Sequence, residues 1–230
     1  MRKLLRAAML LLAVLMAACT APDTWELVSK DNNIRFVLAN KKDKGEVNLC
    51  YSVYYRDTLA VEKSLLGLVM DNCEYGKDAQ FVSASAVKDI SNVYQLKSGK
   101  KLNTTDECRE QIFTFRTKED KLFNLIVRVY NDGVAFRYEL PGEAGQMHTI
   151  QTEHTEFAVP VNGKAWIHPY DWNDRHKPSY EQYCRSEIDI RSECGHGRGW
   201  AFPMLFNTNG IWMMITEAHL NGSYPATHID

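Results

Sequence analysis

Glu217 directly follows the apolar run Ile211-Trp212-Met213-Met214-Ile215-Thr216. A carboxylate at the end of a buried strand needs a partner, because an unpaired buried charge is costly. Two partners suit it: a structural arginine, or a hard cation such as Ca²⁺, which takes oxygen ligands. A second concentration of chemistry lies upstream. Trp166, His168, Tyr170, Trp172, Tyr180, Tyr183 and Trp200 fall close together, with Asp171, Glu181, Glu187 and Asp189 among them. Flat aromatic faces pair with the C–H face of a sugar ring, and carboxylates accept hydroxyl hydrogen bonds. The same aromatics equally suit pinning a long loop onto a sheet or facing another domain.

Cys184, Cys194, His196 and His176 invite a metal reading, but their spacing matches no common zinc pattern. A disulfide between Cys184 and Cys194, closing one loop, is the expectation in an oxidising compartment. Gly195-His196-Gly197-Arg198-Gly199 is glycine-rich but opens no strand-to-helix unit, so it reads as a flexible loop. No P-loop, His-Glu-x-x-His or Gly-x-Ser-x-Gly motif occurs.

The elements that must position these groups read as strands. Phe123, Leu125, Val127 and Val129 alternate with polar or outward residues, then Asn131-Asp132-Gly133, then Val134, Phe136, Tyr138 and Leu140 alternate again. That is a β-hairpin with one face on a core, and Gly133 is expected to supply the positive φ of its loop. Further short β-type runs are Trp25–Ser29, Ile34–Ala39, Val47–Tyr55, Gln111–Arg116, Thr149–Gln151, Glu156–Val159 and Gly210–Glu217. No long 3.6-period segment follows the first twenty residues. Many short strands argue for a sandwich or barrel. Asp71 to Thr105 reads as a long polar connection with two short strands, and Pro169 to Gly199 as a long loop.

The chain has 230 residues, 45% hydrophobic and 24% charged, with a formal net charge of −2. That is ordinary globular composition, and without a basic stripe it gives no support for nucleic-acid binding. Lys41, Lys42 and Lys44, and the pair Lys100-Lys101, read as solvated turns.

Residues 1-18 read as a signal peptide, with Arg2, Lys3 and Arg6 before an apolar run from Ala7 to Ala18. Ala17-Ala18-Cys19 resembles a bacterial lipobox, which makes Cys19 the expected lipidation site and the chain an exported periplasmic or outer-membrane lipoprotein. An ordinary cleaved signal is the other reading. Of the remaining cysteines, Cys50 lies in an apolar run and reads as a buried free thiol. Cys73 and Cys108 read as lying outside strands and as the next candidates for pairing. The chain stops at Tyr224-Pro225-Ala226-Thr227-His228-Ile229-Asp230 without a terminal helix, which reads as a piece of a longer protein.

Several segments resemble the N-terminal domain of glycoside hydrolase family 97, the exo-α-glycosidases of Bacteroidetes type. They are Ser64-Leu65-Leu66-Gly67-Leu68, the hairpin from Arg128 to Tyr138, Glu153-His154-Thr155-Glu156-Phe157, Tyr180-Glu181, Thr216-Glu217-Ala218-His219-Leu220 and Tyr224-Pro225. Leu65 stands where the family has proline. The resemblance implies an all-β fold, a large super-sandwich of the galactose-mutarotase type spanning 19-230 and truncated before a catalytic (β/α)8 barrel. It implies a calcium ion shared with that barrel, with Glu217 as its ligand from this domain. It also implies that no catalytic residue lies in this chain, and that Trp166, Tyr170, Trp172, Tyr180 and Glu181 are candidates for the sugar pocket or the interdomain contact. The expected partners are an α-linked oligosaccharide and the barrel, with the membrane reached through a lipid anchor only. A rival reading is a stand-alone carbohydrate-binding lipoprotein using the aromatics from Trp166 to Trp200.

Overall fold

The computed structural model describes residues 24–43, 45–71, 73–142, 145, 147–170, 182–195, 199–220 and 227–229. Among these residues there are strands and connections but no helix.

The strands form four antiparallel sheets. The first is a meander of β1 (Thr24–Val28), β2 (Ile34–Asp43), β3 (Glu46–Tyr55) and β4 (Thr58–Leu65), in that order. The second runs β11 (Val134–Glu139), β10 (Leu122–Tyr130), β9 (Asn103–Arg116), β7 (Gln80–Ala84), with β8 (Lys88–Gln95) also on β9. A small third sheet joins β12 (Ile150–Glu153), β5 (Leu68–Met70) and β6 (Cys73–Tyr75). The fourth runs β14 (Arg185–Asp189), β13 (Gly163–Pro169), β15 (Trp200–Thr208), β16 (Ile211–Ile215), and β17 (His228–Ile229) pairs with the start of β15.

The first two sheets face each other. Phe36, Leu38, Leu49 and Tyr51 from one meet Phe113, Phe115, Phe123, Leu125 and Val127 from the other in one buried cluster. Each fully buried aromatic or aliphatic side chain here contributes on the order of 1.5–3 kcal/mol by leaving water. Trp25 packs edge-on to Phe115 at 5.7 Å between centroids, and Tyr51 tilts onto Phe136 at 5.1 Å. A second, smaller cluster lies on one face of the fourth sheet: Val159, Ala165, Ile167, Cys194, Trp200, Met204, Phe206 and Ile215. Phe157 joins the two, stacking on Phe136 at 6.2 Å and meeting Phe202 edge-on at 6.4 Å.

The expected hairpin is present as β10–β11, with Val129 opposite Val134. Its loop differs from expectation. The Tyr130 N–H donates to the Gly133 carbonyl at 2.8 Å, and none of Asn131, Asp132 and Gly133 has a positive φ. Glu156–Val159 is not a strand but the bridging segment that carries Phe157. It lies against the chain around Gly67: His154 N–H donates to the Gly67 carbonyl at 2.8 Å, and Glu156 N–H to Leu65 at 3.0 Å. Two of the family-like segments thus sit side by side. The Tyr51 hydroxyl closes this junction by donating to the Glu156 carbonyl at 2.8 Å.

The expected polar connection between Asp71 and Thr105 holds β6, β7, β8 and the start of β9. Cys73 therefore begins a strand and Cys108 lies within one; both are buried free thiols, as is Cys50. Likewise the expected long loop from Pro169 to Gly199 contains β14.

Candidate functional site

The carboxylate of Glu217 lies just past β16, half-buried. It is held by Thr227: the backbone N–H donates to both carboxylate oxygens at 3.2 Å, and the Thr227 hydroxyl donates to Oε1 at 2.6 Å. No arginine or lysine pairs with it among the described residues. Among the described residues, then, no arginine seals this carboxylate inside the sandwich.

Thr227 is followed by β17, which begins with His228. The His228 ring stacks flat on Tyr170, 4.1 Å between centroids with an interplanar angle of 3°. Tyr170 is buried and leaves β13 with its N–H bonded to the Gly199 carbonyl at 2.9 Å. In the ladder, Ala201 of β15 pairs with His168 on one side and His228 on the other. His168 is also unusual, because its buried Nε2 has no hydrogen-bond partner among the described residues. Burial pushes its pKa below the usual 6.5, so the neutral ring is favoured. Glu217, Thr227, His228, Tyr170 and His168 thus gather at one end of the fourth sheet.

The other sequence candidates scatter. Trp166 points to the opposite face from Ile167 and meets Trp212 of β16 at 4.9 Å between centroids. β13 and β16 flank β15, so the two rings lean toward each other across it, and Trp212 is 61% exposed. Trp200 is core, with the Arg185 guanidinium 5.2 Å from its ring centroid. Tyr183 is 94% exposed. Among the described residues, Trp166, Trp200 and Tyr183 therefore do not form a single sugar platform. Trp172, Tyr180 and Glu181 lie outside the described residues, as do Cys19, His176 and His196.

Cys184 and Cys194 are both free, so the expected disulfide is not made in this structure. Cys194 packs into the second core cluster, and the Arg185 guanidinium donates to its carbonyl at 2.7 Å. Cys184 is exposed and its thiol turns to the Arg185 carbonyl at 3.7 Å. The described residues contain no group of three or more His, Cys, Asp or Glu placed to hold a metal. Glu217 can supply one hard oxygen donor, and any other oxygens must come from elsewhere.

An all-β sandwich with a carboxylate presented at the end of its last full strand is the class these features define. Residues 27–230 match the family described as Glycosyl-hydrolase 97 N-terminal, and the chain belongs to that family. A probable retaining alpha-galactosidase of Streptomyces bingchenggensis (strain BCW-1) is 27% identical over 169 residues, covering 74% of this chain and 25% of its own length. The crystal structure of a beta-arabinopyranosidase superposes with a TM-score of 0.79 at 26% identity, over 89% of this chain and 33% of that one. A glycoside hydrolase family 97 enzyme from Pseudoalteromonas sp. strain K8, in complex with panose, shares the fold at a TM-score of 0.65 and 21% identity, over 80% of this chain and 27% of that one. The chain spans about a quarter to a third of the length of these relatives.

Proposed function

We propose that this domain serves an exported, calcium-dependent α-glycosidase, of α-glucosidase or α-galactosidase type. In this reading it packs on a catalytic (β/α)8 barrel and shapes the mouth of the sugar pocket. Family membership makes it the N-terminal domain of a glycoside hydrolase. The α-specificity, the calcium and the export are our reading; one structural relative is a beta-arabinopyranosidase. The stand-alone carbohydrate-binding lipoprotein loses ground because Trp166, Trp200 and Tyr183 face three different environments.

The observation that carries the calcium reading is the state of Glu217. Its carboxylate is half-buried, fixed by one threonine and free of a basic partner among the described residues. A carboxylate oriented this way retains lone pairs for a hard cation. Bound there, the ion would supply a fixed positive charge beside the sugar. Thr227 holds the carboxylate in place, and the stacked Tyr170–His228 pair fixes the strand that directly follows Thr227.

The test is Glu217→Gln in the full-length enzyme. Losing a charged oxygen ligand should weaken calcium affinity by on the order of tenfold or more, with activity falling alongside and partly restored by excess calcium. Calcium-titrated activity and calorimetry read both. A variant that loses thermal stability while its calcium dependence stays unchanged would show a purely structural carboxylate.

A further inference from the structure

The ladder between β9 and β10 ends at Cys108 opposite Tyr130. β9 and β8 continue to pair beyond it, from Glu107 opposite Ser91 to Asn103 opposite Gln95. These five residue pairs form a two-stranded arm reaching about 17 Å past the end of β10. Its base is fixed: Arg109 pairs with Asp89 at 3.6 Å and donates to the Val28 and Ser29 carbonyls at 3.4 Å. Its tip closes through the Leu96 N–H, which donates to the Leu102 carbonyl at 2.7 Å.

Charge and apolar surface separate along this arm. Its carboxylates lie on the shaft, where Glu107 accepts from Ser91 and Asp106 from Asn92, each at 3.3 Å. From Val93 to Thr105 there are three lysines, Lys97, Lys100 and Lys101, and no carboxylate. None of the three makes an ion pair with another described residue. The same stretch leaves Val93 78% exposed, with Tyr94, Leu96 and Leu102 also exposed. Strand alternation puts Tyr94, Leu96 and Leu102 on one face. A two-stranded ribbon is marginal in water on its own, and exposed apolar side chains at its tip call for a partner.

We propose that the tip of the β8–β9 arm is a docking site for anionic lipid headgroups at a membrane surface. Lys97, Lys100 and Lys101 meet the phosphates, and Tyr94, Leu96 and Leu102 enter the interfacial layer. Aliphatic and aromatic side chains rimmed by lysines, with no acid to repel phosphate, match that surface in charge and polarity. A protein partner of ordinary mixed charge would need acids on the tip as well. This site is separate from Glu217 and does not depend on the sugar the enzyme handles.

The test is co-sedimentation of the full-length protein with phosphatidylcholine vesicles, with and without phosphatidylglycerol. Parent and variants all carry Cys19→Ala, so no N-terminal lipid contributes. Binding is expected only with phosphatidylglycerol and is expected to fall with added salt. Each lysine near such a surface is worth about fivefold in partitioning, so K97Q/K100Q/K101Q should bind roughly a hundredfold more weakly. Tyr94→Ser with Leu96→Ser should weaken binding while leaving its salt dependence. These positions are exposed, and unchanged thermal unfolding will verify the fold. Absence of binding, equal binding to both vesicles, or an unaffected lysine variant overturns the proposal. Self-association in solution that the lysine variant abolishes overturns it in favour of a second copy of the chain.

Discussion

Cys184 and Cys194 differ in what can reach them. Cys184 is exposed, while Cys194, Cys50, Cys73 and Cys108 are buried. Desolvation also raises the pKa of the Cys50, Cys73 and Cys108 thiols, so little reactive thiolate is present at neutral pH. Iodoacetamide applied to the folded protein should therefore modify Cys184 first, and the other four only after unfolding. Peptide mapping reads the order directly. A non-reducing map linking Cys184 to Cys194 would mean that the loop rearranges to make the bond. Other single residues were readable to different depths. Glu217 stood out because a carboxylate after six residues of strand-like sequence is anomalous. Tyr170 is a candidate for another reason, as one aromatic among several, while Thr227 and His228 are ordinary residue types that only the pairing of β17 with β15 brings to it and to Glu217. A short strand that pairs far back along the chain leaves no local pattern.

Sequence patterning located strands where one face is buried and the other is not. In β10–β11 the alternation follows the burial, and the pairing came out as expected. The arm built from β8 and the first half of β9 falls in a stretch whose sequence places two short strands without locating them, because nearly all of its residues are exposed and no apolar period exists. β13 and β15 escaped for a different reason. Trp166 and Leu205 put apolar surface on the outer face opposite the core, and Pro203 within β15 is a residue type that argues against a strand, so neither segment reads as one. Glycine is a further element-scale feature. A Cβ at Gly163 would stand 2.2 Å from the Asn207 carbonyl oxygen and 2.8 Å from Thr208 Cβ. β13 could not then lie at its present distance from β15. Gly163→Ala should cost about 1–3 kcal/mol. At Gly133 a Cβ meets nothing within 4 Å and φ is not positive. Gly133→Ala in the hairpin loop should therefore stay within about 0.5 kcal/mol of the parent. Denaturant unfolding of the pair is the check. A neutral Gly163→Ala would mean that the start of β13 yields easily.

At the scale of the molecule the question is what would hold the chain at a membrane surface. The leader-like residues before Cys19 motivate a lipid on that cysteine, and the arm offers a second, electrostatic contact. The physics of the two differs. Two or more acyl chains on one cysteine give a stable anchor by themselves, whereas a basic patch alone holds reversibly. Acyl insertion is insensitive to salt, whereas lysine–phosphate attraction between exposed charges is screened within about 10 Å at 0.1 M. The two contributions therefore separate in one fractionation experiment in the producing cells. With Cys19→Ala, most of the protein should leave the membrane fraction once washed in high salt, with some retained in low salt. Adding K97Q/K100Q/K101Q should remove that retained fraction, and the lysine changes alone should leave the lipid-bearing protein attached but more easily stripped. Mass spectrometry of the mature N-terminus supplies the independent readout. Unmodified Cys19 together with unchanged attachment of the Cys19→Ala protein in high salt would show that something other than this cysteine anchors the chain.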